Sequence, residues 1–163
     1  VKDLSTGVET HVTNDGKKNE LINGITDWVY EEEFGFVKAF AWNPAGDHIA
    51  FLRFDEINVP EFSMDVYGDA LYPGASTFKY PKAGEENAKI SLHMYHLDEE
   101  TSNEVDLGDY EELYIPRIKW TTDPNILSVQ VLNRHQNNLD LVFVNAVNNE
   151  AQVVLNEKRC CLC

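Results

Sequence analysis

The run Asp27-Trp28-Val29-Tyr30-Glu31-Glu32-Glu33-Phe34 is the part of the chain best equipped for chemistry, because it sets three consecutive carboxylates behind an aromatic-rich turn. Neighbouring carboxylates repel one another unless a cation lies between them. A primary ammonium placed there gains on the order of 4 kcal/mol per close carboxylate at an intermediate effective dielectric, before desolvation is subtracted. A plainer reading stands beside this one. The chain carries 28 Asp+Glu in 163 residues, so three glutamates in a row can be a solvated surface run. Geometry separates the two. On a strand, adjacent side chains point to opposite faces; on a helix they project about 100° apart and can meet around one small cation. Asp27 is a good N-cap, so the spacing predicts a short helical turn over Trp28 to Glu33.

Other residues with chemical potential offer less. His93 and His96 are three apart, which suits a helix but puts them on opposite faces of a strand, and the other histidines (His11, His48, His135) form no ligand pattern. Cys160, Cys161 and Cys163 crowd the last four positions with no partner Cys-x-x-Cys or His pair nearby, and read as an incidental or artificially appended tail over 157–163. Asp98-Glu99-Glu100 and Glu85-Glu86 lack the spaced carboxylates of a calcium loop and read as solvated turns. Arg134, in Asn133-Arg134-His135-Gln136-Asn137, falls at a hairpin turn and reads as a structural hydrogen-bond donor. No metal or cofactor motif is present.

A net charge of -15 opposes phosphate or anionic-lipid binding and favours cationic ligands. At 43% hydrophobic and 11% aromatic the chain can bury a core. No apolar run approaches the roughly 18 residues of a membrane span. The opening Val1-Lys2-Asp3-Leu4-Ser5-Thr6-Gly7 has no apolar signal region and reads as the middle of a longer chain.

The elements that must position the glutamates are strands. Val37 to Trp42, the turn Asn43-Pro44-Ala45-Gly46-Asp47 and His48 to Phe54 form a hairpin. Ile90 to Leu97 alternates at period two, Asp98 to Asn103 makes a polar turn, and Val105 to Leu107 gives a short outer strand. The pattern then restarts with Ile115 to Trp120, Ile126 to Asn133, Asn138 to Asn145 and Ala151 to Asn156. The first fifteen residues resemble the closing strand of a preceding unit. Trp28, Trp42 and Trp120 are assigned to the core. Repeated four-stranded antiparallel units predict an all-β fold of β-propeller blades, about two blades plus a partial one, over 1–156. Between the hairpins lies a surplus over Ile57 to Asn87, rich in Pro, Tyr and Gly. It reads as an extended arm with a protein-binding role, the alternative being a disordered insertion.

These residues resemble a known family. Asp27 to Glu33 is similar to the double-glutamate motif of dipeptidyl peptidase IV and its bacterial relatives in the prolyl oligopeptidase family. Agreement continues in order through Ala41-Trp42-Asn43-Pro44, Ile49-Ala50-Phe51, Phe54-Asp55-Glu56, Val59-Pro60-Glu61, Tyr80-Pro81-Lys82-Ala83-Gly84, Leu132-Asn133-Arg134 and Gln136-Asn137. The resemblance implies a piece of an eight-bladed propeller joined to an α/β-hydrolase domain, in a serine exopeptidase that releases X-Pro or X-Ala dipeptides from peptide N-termini. It implies that Glu32 and Glu33 bind the substrate's α-ammonium and that Glu31 is a structural neighbour. It further implies homodimer contacts through an arm that includes Val59, Pro60, Phe62, Tyr67, Tyr72 and Tyr80, a periplasmic or cell-surface location, and no cofactor. The Gly-x-Ser-x-Gly elbow is absent from the chain, so the triad is expected in the missing hydrolase domain. The competing expectation is a non-enzymatic propeller module for protein interaction.

Overall fold

The computed structural model describes residues 1–110 and 112–159, so the cysteines of the tail lie outside the described residues. Near the start, the Ser5-Thr6-Gly7 turn is closed by a single antiparallel bridge between Lys2 and Glu9 rather than by a full strand. The first sheet then begins with β1 (Leu21–Asn23), followed by α1 (Trp28–Phe34), β2 (Phe40–Trp42) and β3 (His48–Asp55). Two strands of an arm follow, β4 (Glu61–Val66) and β5 (Gly74–Lys79), before β6 (Lys89–His96) and β7 (Thr101–Glu104) close the sheet. The second sheet is β8 (Leu113–Trp120), β9 (Ile126–Asn133), β10 (Asn138–Asn145) and β11 (Ala151–Lys158), in sequential antiparallel order.

The first sheet has an interrupted leading strand. β1 pairs with the far half of β3 (Leu21 opposite Asp55) and β2 with its near half (Phe40 opposite Phe51), so both lie along one edge of β3. Residues 24–39 leave the sheet between them and carry α1. The neck of this excursion is pinched shut: Ala39 N donates to Gly24 O at 3.0 Å, Thr26 N to Val37 O at 3.0 Å, and Leu52 N on β3 to Ala39 O at 2.9 Å. Gly24 turns the chain out of the sheet with a φ of 74°, which a side chain would oppose. For the same reason only the last three residues of the expected strand Val37 to Trp42 are in the sheet; Lys38 pairs back with Ile25 in the neck.

Each sheet is a blade, and the two share one core. Leu52, Phe54, Leu92 and Met94 of the first pack with Ile115, Leu127, Val129, Val131, Val142 and Val144 of the second, all nearly inaccessible to solvent. Polar ties reinforce the joint: Trp120 Nε1 donates to Ala41 O at 3.0 Å and Asn43 Nδ2 to Pro124 O at 3.2 Å.

Several expectations need correction. The outer strand is Thr101–Glu104 rather than Val105 to Leu107. Its residues are polar because they are exposed, while Val105 is buried and its N–H reaches back to Leu92 O at 2.8 Å. The fourth strand of the second blade runs two residues past Asn156, to Lys158. Of the three tryptophans only Trp120 is core. Trp42 is 40% exposed on an open apolar face with Phe40, and Trp28 packs its ring 4.3 Å from that of Tyr80. The interval Ile57 to Asn87 is neither loop nor disorder in its middle: β4 and β5 form a two-stranded ribbon with Glu61 opposite Lys79.

Candidate functional site

α1 forms as its sequence demands. Asp27 has extended backbone angles and its carboxylate accepts from Tyr30 N at 3.0 Å, one of the donors that a helix start leaves without a partner. The helix stops at Gly35, whose φ of 68° closes it in the left-handed conformation. The expected turn over Trp28 to Glu33 is therefore present and one residue longer.

What holds this short helix is Tyr30. Its ring is 1% exposed and lies edge-on to Phe34 (4.9 Å), Phe54 (4.9 Å) and Phe36 (5.8 Å), while its hydroxyl accepts from Ile115 N at 2.7 Å. That N–H is available because β8 slips register between Tyr114 and Arg117, around Pro116, so Ile115 leaves the ladder. Burial drives the phenol's pKa far up, so it stays neutral. At the other end of the helix, Arg117 Nη2 donates to Phe34 O at 2.9 Å and its guanidinium lies 5.2 Å from the Phe36 ring centre. The helix has no basic residue in its own last turn, so the second blade supplies the cation that its carbonyl end lacks.

Glu31, Glu32 and Glu33 are all exposed on this anchored helix, and no salt bridge among the described residues involves them. The structure separates the three. Glu31 borders a cleft of about 540 Å³ that also contains Asp27, Glu56 and Lys79, whereas Glu32 and Glu33 lie outside that lining. Carboxylates in the last turn oppose the helix dipole at a cost of about 0.3–1 kcal/mol each. A sequence that keeps them there, on a helix built from long-range contacts, presents negative charge outward.

The cleft holds what sequence reasoning missed. Asp27 and Glu56 are both buried, at 7% and 6% exposure. Burial first, then the neighbouring Asp27 charge, pushes Glu56 up to about 7, with Lys79 opposing. Burial likewise pushes Asp27 up to about 6 against the lowering effect of its bond to Tyr30 N. Residues 27, 56 and 79 have no periodic relation, so only the fold reveals them together. Because both folded pKa values lie above those of the unfolded chain, these groups contribute stability that is present below about pH 4 and lost as pH rises through about 6 and 7. Each pKa unit is worth about 1.4 kcal/mol, so after allowance for solvent screening a loss of about 1–2 kcal/mol, or 2–8 °C in Tm, is expected between pH 5 and 7.5. Thermal unfolding across that range checks it. His93, whose burial lowers its pKa, acts in the opposite sense, so Glu56→Gln is the reference that isolates the carboxylate. A wild-type slope that equals the Glu56→Gln slope would reject the assignment.

The arm residues divide. Tyr67 and Tyr72 are almost fully exposed and Phe62 is 40% exposed, while Pro60 and Tyr80 are half-buried. Val59 is 4% exposed and anchors the arm's root, which removes it from any surface that a partner could touch. Arg134 donates to Glu85 O at 3.1 Å, next to the arm's return. Among the described residues no group of three or more His, Cys, Asp or Glu is arranged to hold a metal ion, and no helix is long and apolar enough to cross a membrane.

Two open antiparallel blades with a helix lifted out of a split leading strand define a slice of a β-propeller. The profile described as dipeptidyl peptidase IV (DPP IV) N-terminal region matches residues 1–160, and the chain belongs to that family. A crystal structure of Porphyromonas gingivalis dipeptidyl peptidase 4 superposes with a TM-score of 0.93 at 40% identity, over 97% of this chain and 22% of that one. Dipeptidyl aminopeptidase B of Saccharomyces cerevisiae is 36% identical over 153 residues, 90% of this chain and 18% of that protein. The mouse protein named inactive dipeptidyl peptidase 10 is 36% identical over 131 residues, 77% of this chain and 16% of that protein. The chain thus spans about a fifth of the length of the relatives it matches.

Proposed function

We propose that this chain is the substrate-gating propeller part of a dipeptidyl peptidase IV-like serine exopeptidase, in which Glu32 and Glu33 bind the free α-ammonium of a peptide. The observation that carries this reading is the rigidly anchored α1, which presents adjacent carboxylates outward with no cation of the described chain on them. Fixing the amino end at a set distance from a nucleophilic serine in a separate α/β-hydrolase domain lets only the second peptide bond reach it, which is catalysis by positioning. Release of X-Pro or X-Ala dipeptides follows from that ruler together with a pocket supplied by the other domain. Substrate is then a peptide N-terminus, in a periplasmic or cell-surface setting. The exposed aromatic residues of the β4–β5 arm suit a homodimer contact.

The test is kinetic. In the full-length protein, a dipeptide chromogenic substrate with a free N-terminus should be cleaved, and its N-acetyl form should be far poorer. Glu32→Gln and Glu33→Gln should each raise KM for the free substrate about tenfold, the lower end for a charge-assisted hydrogen bond, and leave the acetylated one little changed. Equal effects on both substrates would refute the ammonium site.

A second reading, a non-enzymatic interaction module, is favoured by the likeness to a relative named inactive. The two part on one observation: a Gly-x-Ser-x-Gly elbow in the full reading frame supports the peptidase, and its absence supports the module.

A further inference from the structure

The cleft beneath α1 is where the arm meets the helix. Lys79, the last residue of β5, points its Nζ at Val59 O (2.8 Å) and Ile57 O (3.3 Å), with Glu61 Oε1 3.9 Å away, and its side chain is 9% exposed. Tyr80, the next residue, packs on Trp28 of α1. Glu56, just before the arm departs, is tied by its N–H to Glu20 O at 2.8 Å and shares the cleft with Asp27, the helix cap. The arm's root therefore meets the first turn of the helix in two ways, through the charge interaction of Glu56 with Asp27 and through the tilted ring pair of Tyr80 and Trp28. From this geometry we infer that Glu56 and Lys79 are positioning residues for the glutamate helix, setting the seat of Asp27 and with it the placement of Glu32 and Glu33. The inference rests on the reading of α1 as the ammonium site.

The physical reason is one of charge count. Asp27 and Glu56 line the cleft together with Lys79, whose ammonium already gives two of its three N–H donors to carbonyls and makes no ion pair with either carboxyl. Lys17 and Lys18 border the cleft from the loop before β1, with Lys17 paired to Glu20, and Glu31 adds a further negative charge from α1 itself. Between about pH 6 and 7, with Asp27 ionised and Glu56 protonated, Asp27 caps the helix as the one charged carboxylate buried in the cleft. When Glu56 ionises, two carboxylates oppose each other under the first turn, and the helix is pushed from its seat. Burial and the Asp27 charge set this ionisation to about 7.

The experiment is the pH profile of KM in the full-length protein, from pH 5.5 to 8.5, with a free-N-terminus dipeptide chromogenic substrate. Wild type should show a rise in KM of about 3- to 10-fold through the neighbourhood of pH 7, the span that a half- to one-unit pKa coupling produces by linkage. The substrate ammonium, with a pKa near 7.7–8.0, contributes a separate alkaline limb that no variant in the cleft should move. Glu56→Gln should lack the limb near 7 and keep the alkaline one. Lys79→Met should shift the limb near 7 to higher pH, because the ammonium that favours ionised Glu56 is gone. A merely structural role would change KM evenly at all pH values. If Glu56→Gln retains the wild-type limb, the inference is overturned; should that variant not accumulate, an unshifted limb in Lys79→Met overturns it equally. If Glu32→Gln and Glu33→Gln leave KM unchanged, the ammonium reading itself falls and takes this inference with it. If they raise KM while the cleft variants leave the limb in place, the inference alone falls.

Discussion

Tyr30→Ala is expected to destabilise the chain by about 3–5 kcal/mol, the range for removing a large buried aromatic side chain. Three terms add at this position. The ring lies at the meeting point of Phe34, Phe36, Phe54 and Tyr114, so its loss opens a cavity between the helix and both blades. The hydroxyl is the acceptor of Ile115 N–H, in a stretch where β8 has left its ladder and Ile115 is fully buried. Lastly, a helix of 7 residues does not survive on propensity and depends on its tertiary anchor. Tyr30→Phe separates the terms: it keeps the packing and leaves one buried donor without an acceptor, at about 1–3 kcal/mol. Urea unfolding of both variants measures the difference. A cost below about 1 kcal/mol for alanine would show that the helix is held elsewhere, and equal costs for alanine and phenylalanine would show that the ring is dispensable.

The parts of this arrangement that were legible in the sequence are those with local causes. Asp27 and Gly35 bracket α1 through capping that involves near neighbours, so the helix could be expected. β9 and β10 follow their alternation from end to end, because Asn133 Oδ1 accepts from Asn137 N and Asn138 N and fixes the turn between them. Asn43 Oδ1 does the same for the β2–β3 turn through Gly46, Asp47 and His48. The features that escaped have distant causes. Nothing near Leu21 or Phe40 indicates that both pair with β3 and that the chain between them leaves the sheet. β7 is polar on both faces and carries no alternation, so the buried Val105 beside it mimicked a strand. β4 alternates at period two, Phe62, Met64 and Val66 against Glu61, Ser63 and Asp65, yet it is exposed on both faces, so in a stretch dominated by Pro, Tyr and Gly its alternation did not mark it as part of a sheet. The buried Asp27 and Glu56 were invisible for another reason: charged residues in a sequence read as surface until the fold buries them.

On the proposed reading of α1, the double variant Glu32→Gln/Glu33→Gln in the full-length protein should show the largest functional effect. Two charge-assisted hydrogen bonds at about 1.5–3 kcal/mol each correspond to a loss of roughly 10²- to 10⁴-fold in kcat/KM toward substrates with a free N-terminus. Both side chains project from one anchored turn about 100° apart. If they share one ammonium, removal of either leaves the other partly engaged, so the double change should depart from the sum of the singles. Glu31→Gln, on the side of the helix that borders the arm's cleft, should cost less than about threefold, the edge of what one weak contact explains. A desamino substrate completes the cycle: without the ammonium, wild type and double variant should be alike. Stability should move the other way. Neutralising two carboxylates in the last turn relieves an unfavourable helix-dipole interaction of about 0.3–1 kcal/mol each, so the double variant is expected to unfold at a higher temperature while binding substrate worse. Lost function with gained stability is the mark of charges kept for a ligand rather than for the fold. A double variant that loses stability and activity together, or that discriminates against the desamino substrate as strongly as wild type, would assign these glutamates to structure instead.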